Sequence, residues 1–183
     1  QDLDCLSFRH GIRTVCLERT SVTDPYGSGE FCFHINGERV FILGSNWVPV
    51  DAFHARDASR IPEIIALAEE IGVNAFRCWG GNVYEDDLFY EICDRKGILI
   101  WQDFALACTL YPQDADFQKR LEQEARKVVQ RLRQHPCIAL WSGDNECDAF
   151  YKGLGIDPNT NVLTRKVLPQ VVAEEDGTRP YLG

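Results

Sequence analysis

An amide and a carboxyl stand side by side at Asn145 and Glu146, where the apolar run IALWSGDNE (Ile138 to Glu146) ends. Packing near Trp141 and Asn145 is expected to desolvate Glu146, and desolvation favours the protonated form that a general acid needs. The bland alternative is a surface glutamate in a loop. Three similar runs precede this one: VFILGSNW (Val40 to Trp47), NAFRCWGG (Asn74 to Gly81) and ILIWQDF (Ile98 to Phe104). All 4 tryptophans of the chain lie at or near the carboxyl ends of these runs, each with a polar companion: Asn46, Arg77, Asp103, and the Asn145/Glu146 pair. That shared placement points to one pocket. Within it, Arg77 either braces Asp103 or contacts a ligand directly.

Other titratable groups carry less. Glu85, Asp86 and Asp87 form an acidic cluster that a helix start explains, because anions complement the positive end of a helix dipole. His10, His34, His54 and His135 are isolated, and His135 before Pro136 reads as a helix stop. The 8 cysteines are scattered singly, without a CxxC pair or a His-Cys cluster at zinc spacing, so most are expected to be buried free thiols and no metal site is expected.

Elements that position these residues follow from periodicity. GIRTVCLERT alternates apolar and polar positions, and Asn36-Gly37 between two apolar runs is a strong hairpin signal, since a type I′ turn needs positive φ at both central positions. Ile61, Ile64, Ile65, Ala68 and Ile71 recur at helical spacing, with Ser59 as cap, Pro62 in the first turn and Gly72 past the end. Further helices are expected over 86–96, 114–134 and 162–175, with Pro169 either splitting the last or beginning its second part. TRPYLG at 178–183 reads as the entry to another strand.

Short buried strands alternating with helices predict a parallel sheet with right-handed crossovers. The strand-end tryptophans are 32, 22 and 40 residues apart, near the roughly thirty residues per unit of a ~250-residue eightfold barrel. A doubly wound open sheet is the rival, but GSNWVPVD stands where its Gly-rich phosphate turn would follow the first strand. In a barrel, chemistry collects at the carboxyl ends of the strands, where the polar residues above fall.

A net charge of -9 and a pI near 4.9 argue against nucleic acid as partner, which calls for basic surface. No apolar stretch approaches the ~20 residues of a membrane span. The absence of methionine reads as a mature form or an excised piece. No cellular compartment is indicated.

SNWVPVDAF, RCWGGNVYEDDLFYEICDRKGILIWQDF and ALWSGDNE together resemble the β-mannosidases of glycoside hydrolase family 2, over roughly residues 30 to 183. Trp79-Gly80-Gly81 favours the mannosidase branch over its galactosidase and glucuronidase relatives. The resemblance implies an α/β fold: the first half of a (β/α)8 TIM barrel over 39–183, preceded over 1–38 by the last hairpin of an immunoglobulin-like β-sandwich. It implies retaining hydrolysis of terminal non-reducing β-D-mannose without a cofactor, with Glu146 as acid/base and Asn145 on the sugar 2-hydroxyl. Arg77 and Trp79 would line the terminal-sugar subsite, Asp103 and Trp101 its floor, and Trp47 and Asp51 its first-strand wall. Trp79 and Trp101 could instead fill the barrel. Asp144 stands where the family pattern has Asn, and either acts on Glu146 or faces away. The family's nucleophile, a second Glu on the seventh strand, is expected outside this chain, so the piece alone is expected to be inactive and to dimerise or aggregate. The alternatives are another exo-glycosidase of the clan, acting on glucosamine or galactose, and a carbohydrate-binding module without chemistry.

Overall fold

The computed structural model describes residues 4–20 and 29–183. Its strands are β1 (Val15–Arg19), β2 (Phe31–Ile35), β3 (Glu38–Val40), β4 (Gly44–Trp47), β5 (Ala75–Cys78), β6 (Leu99–Asp103), β7 (Ile138–Ser142) and β8 (Tyr181–Leu182). Its α-helices are α1 (Asp57–Glu70), α2 (Asp87–Lys96), α3 (Ala115–Leu132), α4 (Cys147–Gly153) and α5 (Leu168–Glu175). Strands β4 to β8 form a parallel sheet in sequence order, and β1 to β3 form an antiparallel sheet. The parts of the expected sandwich segment at 1–3 and 21–28 lie outside the described residues.

The expected hairpin forms: Asn36 and Gly37 take φ of 53° and 83°, and β2 pairs with β3 across them. The run from Val40 to Trp47 is not one strand. It divides into β3, paired to β2, and β4, paired to β5, so β3 runs across the 38/39 division. The Asn74 side chain holds the break, accepting from Leu43 N–H and donating to the Phe41 carbonyl. Residues 178–183 do enter a fifth parallel strand, β8.

Two helix ends are punctuated as their chemistry dictates. Asp114 caps α3 by accepting from the Asp116 and Phe117 N–H groups, and Gly97 ends α2 with φ of 70°, a conformation that favours Gly. Helix α1 starts earlier than expected, at Asp57, which places Ser59 inside it with its hydroxyl donating to the Arg56 carbonyl. Pro169 begins the second part of the 162–175 region: a π-helical turn (Leu163–Val167) runs directly into α5, and the proline stands in the first turn of that α-helical part.

Two apolar layers flank the parallel sheet. On the helix side Ile61, Ile65, Phe76, Phe89, Ile100, Trp141 and Leu168 form the main core. On the concave side, Phe33 of β2 packs against Ala139 and Leu140, with Leu99 and Trp101 around them. The antiparallel sheet thus plugs the concave face. Ala139 is an extra residue in β7, because Ile100 pairs with Ile138 and Trp101 with Leu140.

The concave face retains a cavity of about 340 Å³, lined by Phe33, Ile42, Asn46, Arg77, Trp101 and Ala139 among others. Phe41 and Leu43 are exposed beside it, and the outer edges of β4 and β8 have no strand partner among the described residues. Open edges next to apolar surface recruit further chains. The 183-residue polypeptide by itself is therefore expected to sediment as a dimer or larger; a monodisperse monomer in analytical ultracentrifugation contradicts this. Among the described residues no helix is long and apolar enough to cross a membrane.

Candidate active site

Three neighbouring strands deliver polar side chains to one end of the sheet. Asp103 closes β6, with its side chain fully buried, and Arg77 comes from β5. The guanidinium grips the carboxylate through Nη2 to Oδ2 at 2.7 Å and Nε to Oδ1 at 3.3 Å. Asp103 also accepts from Trp101 Nε1 at 2.9 Å and from the Gly80 N–H at 3.0 Å. Burial pushes the Asp103 carboxyl up, with the Arg77 charge and these donors opposing. With four donors and a fully buried side chain, Asp103 has no surface turned toward a ligand among the described residues, unlike the expected floor.

Arg77 passes the order onward, since its Nη2 also donates to Asn145 Oδ1 at 3.0 Å. Asn145 is further fixed by its backbone, which forms a parallel bridge to Ala107 with Asn145 N–H donating to the Leu106 carbonyl and Cys108 N–H donating to the Asn145 carbonyl. Glu146 follows at φ 60° and ψ 9°, a left-handed conformation rare for a residue with a Cβ. This turn throws its side chain outward over the sheet end. Glu146 is therefore exposed, which corrects the expected desolvation. Its carboxylate Oε2 lies 3.4 Å from Cys108 Sγ.

Trp79 is half-buried past the end of β5, and its indole lies against Gly81, where an added Cβ would come within 2.2 Å of the ring. Gly80 is equally confined: a Cβ there would sit 2.4 Å from the Leu106 carbonyl oxygen and 3.0 Å from that of Phe104. Gly80→Ala is expected to destabilise by about 1–3 kcal/mol and to shift the backbone N–H off Asp103. A lowered urea midpoint checks the first effect; an unchanged midpoint contradicts it. Trp101 lies between Phe31, stacked at 6.1 Å, and the Arg77 guanidinium, 5.7 Å from its centroid.

Of the two expected wall residues, Trp47 turns to the helix side and Asp51 is engaged by its sequence neighbours. Trp47 is buried on the helix side against Phe76 and Phe89, and its Nε1 donates to Glu85 Oε1 at 2.9 Å. The alternation of side chains along β4 turns Trp47 away from the concave face when Asn46 points into it. Asp51 is tied up locally, accepting from Phe53 N–H and from Arg60 Nη1 at 2.8 Å. Glu85 is not a solvated helix-start acid either: it is buried beneath Trp47, and burial pushes its carboxyl up against that hydrogen bond. Asp144 faces away from Glu146. It accepts from Cys147 N–H at the start of α4, and burial pushes its carboxyl up, helped by Asp148 and opposed by Arg165.

Sequence reasoning passed over Cys108, which is half-buried while Cys32, Cys78, Cys93, Cys137 and Cys147 are buried. Its position in the loop after β6, five residues past Asp103, was the available signal, since such loops carry the chemistry of a barrel.

Residues 30–180 match the family model described as glycosyl hydrolases family 2, TIM barrel domain. The chain is 40% identical over 181 residues to the β-mannosidase of Bos taurus, covering 93% of this chain and 20% of that protein. It is 36% identical over 196 residues to β-mannosidase B of Thermothelomyces thermophilus, covering 98% and 23%. The crystal structure of β-D-mannosidase from Dictyoglomus thermophilum superposes with a TM-score of 0.88 at 40% identity, covering 98% of this chain and 22% of that one. Parabacteroides merdae β-glucuronidase, at 20% identity and a TM-score of 0.76, shares the fold. The chain spans about a fifth of the length of these relatives. By sequence and by fold, it belongs to the TIM-barrel domain family of the family 2 glycosyl hydrolases.

Proposed function

We propose that the protein containing these residues hydrolyses terminal non-reducing β-D-mannose residues with retention, using Glu146 as acid/base. The observation that carries this reading is the Asn145–Glu146 pair at a strand end, locked to Arg77 and Asp103, in a chain 40% identical to a β-D-mannosidase of the same fold. Glu146 gives its proton to the glycosidic oxygen as the bond to the anomeric carbon breaks, and that bond's electron pair leaves on the departing oxygen. A second carboxylate, from a strand beyond these residues, bonds the anomeric carbon. The Glu146 carboxylate then takes a proton from water, whose oxygen attacks that carbon and frees both mannose and the second carboxylate.

Asn145 fits the sugar 2-hydroxyl contact because Arg77 fixes its oxygen, leaving an amide hydrogen for a ligand. Trp79, half-buried on its bed of glycine, is the stacking wall, with Arg77 and Trp101 bracing from below. The exposure of Glu146 fits a site whose cover comes from the rest of a full-length barrel. The antiparallel sheet is the end of a preceding immunoglobulin-like sandwich in this reading, with residues 1–38 on that side and 39–183 on the barrel side.

The test is turnover by the full-length protein of phenyl β-mannoside against the matching β-glucosaminide, β-galactoside and β-glucuronide. Proton NMR is expected to show β-mannose as the first-formed anomer. Preference for another sugar, or α-mannose formed first, overturns the reading. The 183-residue chain alone is expected to show no turnover, because it supplies one carboxylate of the two; robust cleavage by it opposes the assignment.

A further inference from the structure

We propose that Cys108 is a positioning residue for proton transfer at Glu146, an inference that rests on Glu146 being the acid/base. One sulfur lies between the two polar side chains of the pair: Asn145 Nδ2 is 3.3 Å from Cys108 Sγ, and Glu146 Oε2 is 3.4 Å from it. An amide N–H can only donate, so the sulfur accepts there through a lone pair. The single thiol hydrogen is thereby left for the carboxylate. No other side chain among the described residues hydrogen-bonds the Glu146 carboxylate.

The sulfur is held firmly enough to serve. Cys108 has φ of 53° and Glu146 has φ of 60°, so two residues with a Cβ occupy the left-handed region on adjoining loops. Such a conformation persists only where its surroundings enforce it. The bonds from Cys108 N–H to the Asn145 carbonyl at 2.8 Å and from Asn145 N–H to the Leu106 carbonyl at 3.0 Å tie the loops together. Two tyrosines pin the Cys108 loop from outside: Tyr111 Oη accepts from Ala107 N–H and donates to the Ala107 carbonyl, and Tyr84 Oη accepts from Ala105 N–H. Rigidity therefore runs from loop backbone to thiol to carboxylate. An exposed glutamate without such a handle samples many rotamers, few of which direct the proton at a glycosidic oxygen.

The experiment uses the full-length protein and two substrates. Phenyl β-mannoside needs a proton on its departing oxygen; 2,4-dinitrophenyl β-mannoside does not, and kcat/KM reports the bond-breaking step for both. Cys108→Ala and Cys108→Gly are expected to lose about tenfold in kcat/KM on the phenyl substrate, a fraction of the full acid/base effect, and to keep that on the dinitrophenyl one. Cys108→Gly accepts positive φ without strain and guards against a folding failure of the alanine variant. Cys108→Ser keeps one donor and its acceptor lone pairs, and is expected to restore most of the lost rate. Equal loss on both substrates, no loss on either, or a folded serine variant as impaired as alanine overturns the proposal. Glu146→Ala, measured in parallel, separates the two levels: if it lacks the substrate split, the acid/base reading falls and Cys108 with it, whereas a split there without one at Cys108 removes this inference alone.

Discussion

Glu146→Ala in the full-length protein is expected to lower kcat/KM for phenyl β-mannoside by about 10²–10⁴-fold, the range general acid catalysis supplies, and to spare the dinitrophenyl substrate. The divergence between substrates matters more than the size of the loss. A damaged fold would depress both, while a missing proton donor penalises only the leaving group that needs one. The kcat on the dinitrophenyl substrate is expected to fall, because water attacking the glycosyl-enzyme loses its general base; azide, a nucleophile that needs none, is expected to restore that turnover, giving β-mannosyl azide. If phenyl β-mannoside survives the substitution, Glu146 is a surface carboxylate and the acid/base lies elsewhere.

Asp103→Ala should damage stability and chemistry together. Its carboxylate is fully buried and accepts from Arg77 Nε and Nη2, Trp101 Nε1 and Gly80 N–H, so removal leaves four donors without their acceptor. Breaking a buried pair costs about 3–5 kcal/mol, and because the Arg77 side chain keeps 28% of its surface exposed and can turn to water, about 2–3 kcal/mol is expected here. Loosening Arg77 also frees Asn145, so kcat/KM should fall on both aryl substrates, unlike the split at Glu146. Asp103→Asn keeps the shape but sets an amide N–H₂ against some of those donors, and is expected to recover little. The urea midpoint together with the two kcat/KM values decides; a variant with wild-type stability and activity removes Asp103 from its bracing role.

The barrel strands were legible because β5, β6 and β7 are short apolar runs bounded by polar residues, and their helices carry a 3.6-residue stripe. Which way a strand residue points was not legible. The four tryptophans end their runs alike, yet Trp47 and Trp141 face the helices, with Trp141 Nε1 donating to Asp176, while Trp101 faces the concave side. A strand buried on both faces has no polar side to fix its phase, and one residue of register exchanges inside for outside. The bulge at Ala139 shifts that phase within β7 itself. Short α4 escaped notice because seven residues carry less than two turns of periodicity. Cys108 escaped because a cysteine ordinarily packs as a small apolar residue, and what sets this one apart is a sulfur placed against residues 37 and 38 positions away.

The buried thiols have a use that the site does not need. Cys78 on β5, Cys93 on α2 and Cys137 before β7 are enclosed where strands meet helices, and burial pushes each thiol well above its ordinary range. An alkylating reagent attacks the thiolate, so these three stay unlabelled until the interface parts, whereas exposed Cys5 and Cys16 are free to react at once. The lag between the fast and slow classes is thus an internal clock for breathing of the helical layer, read by mass spectrometry without introducing any label.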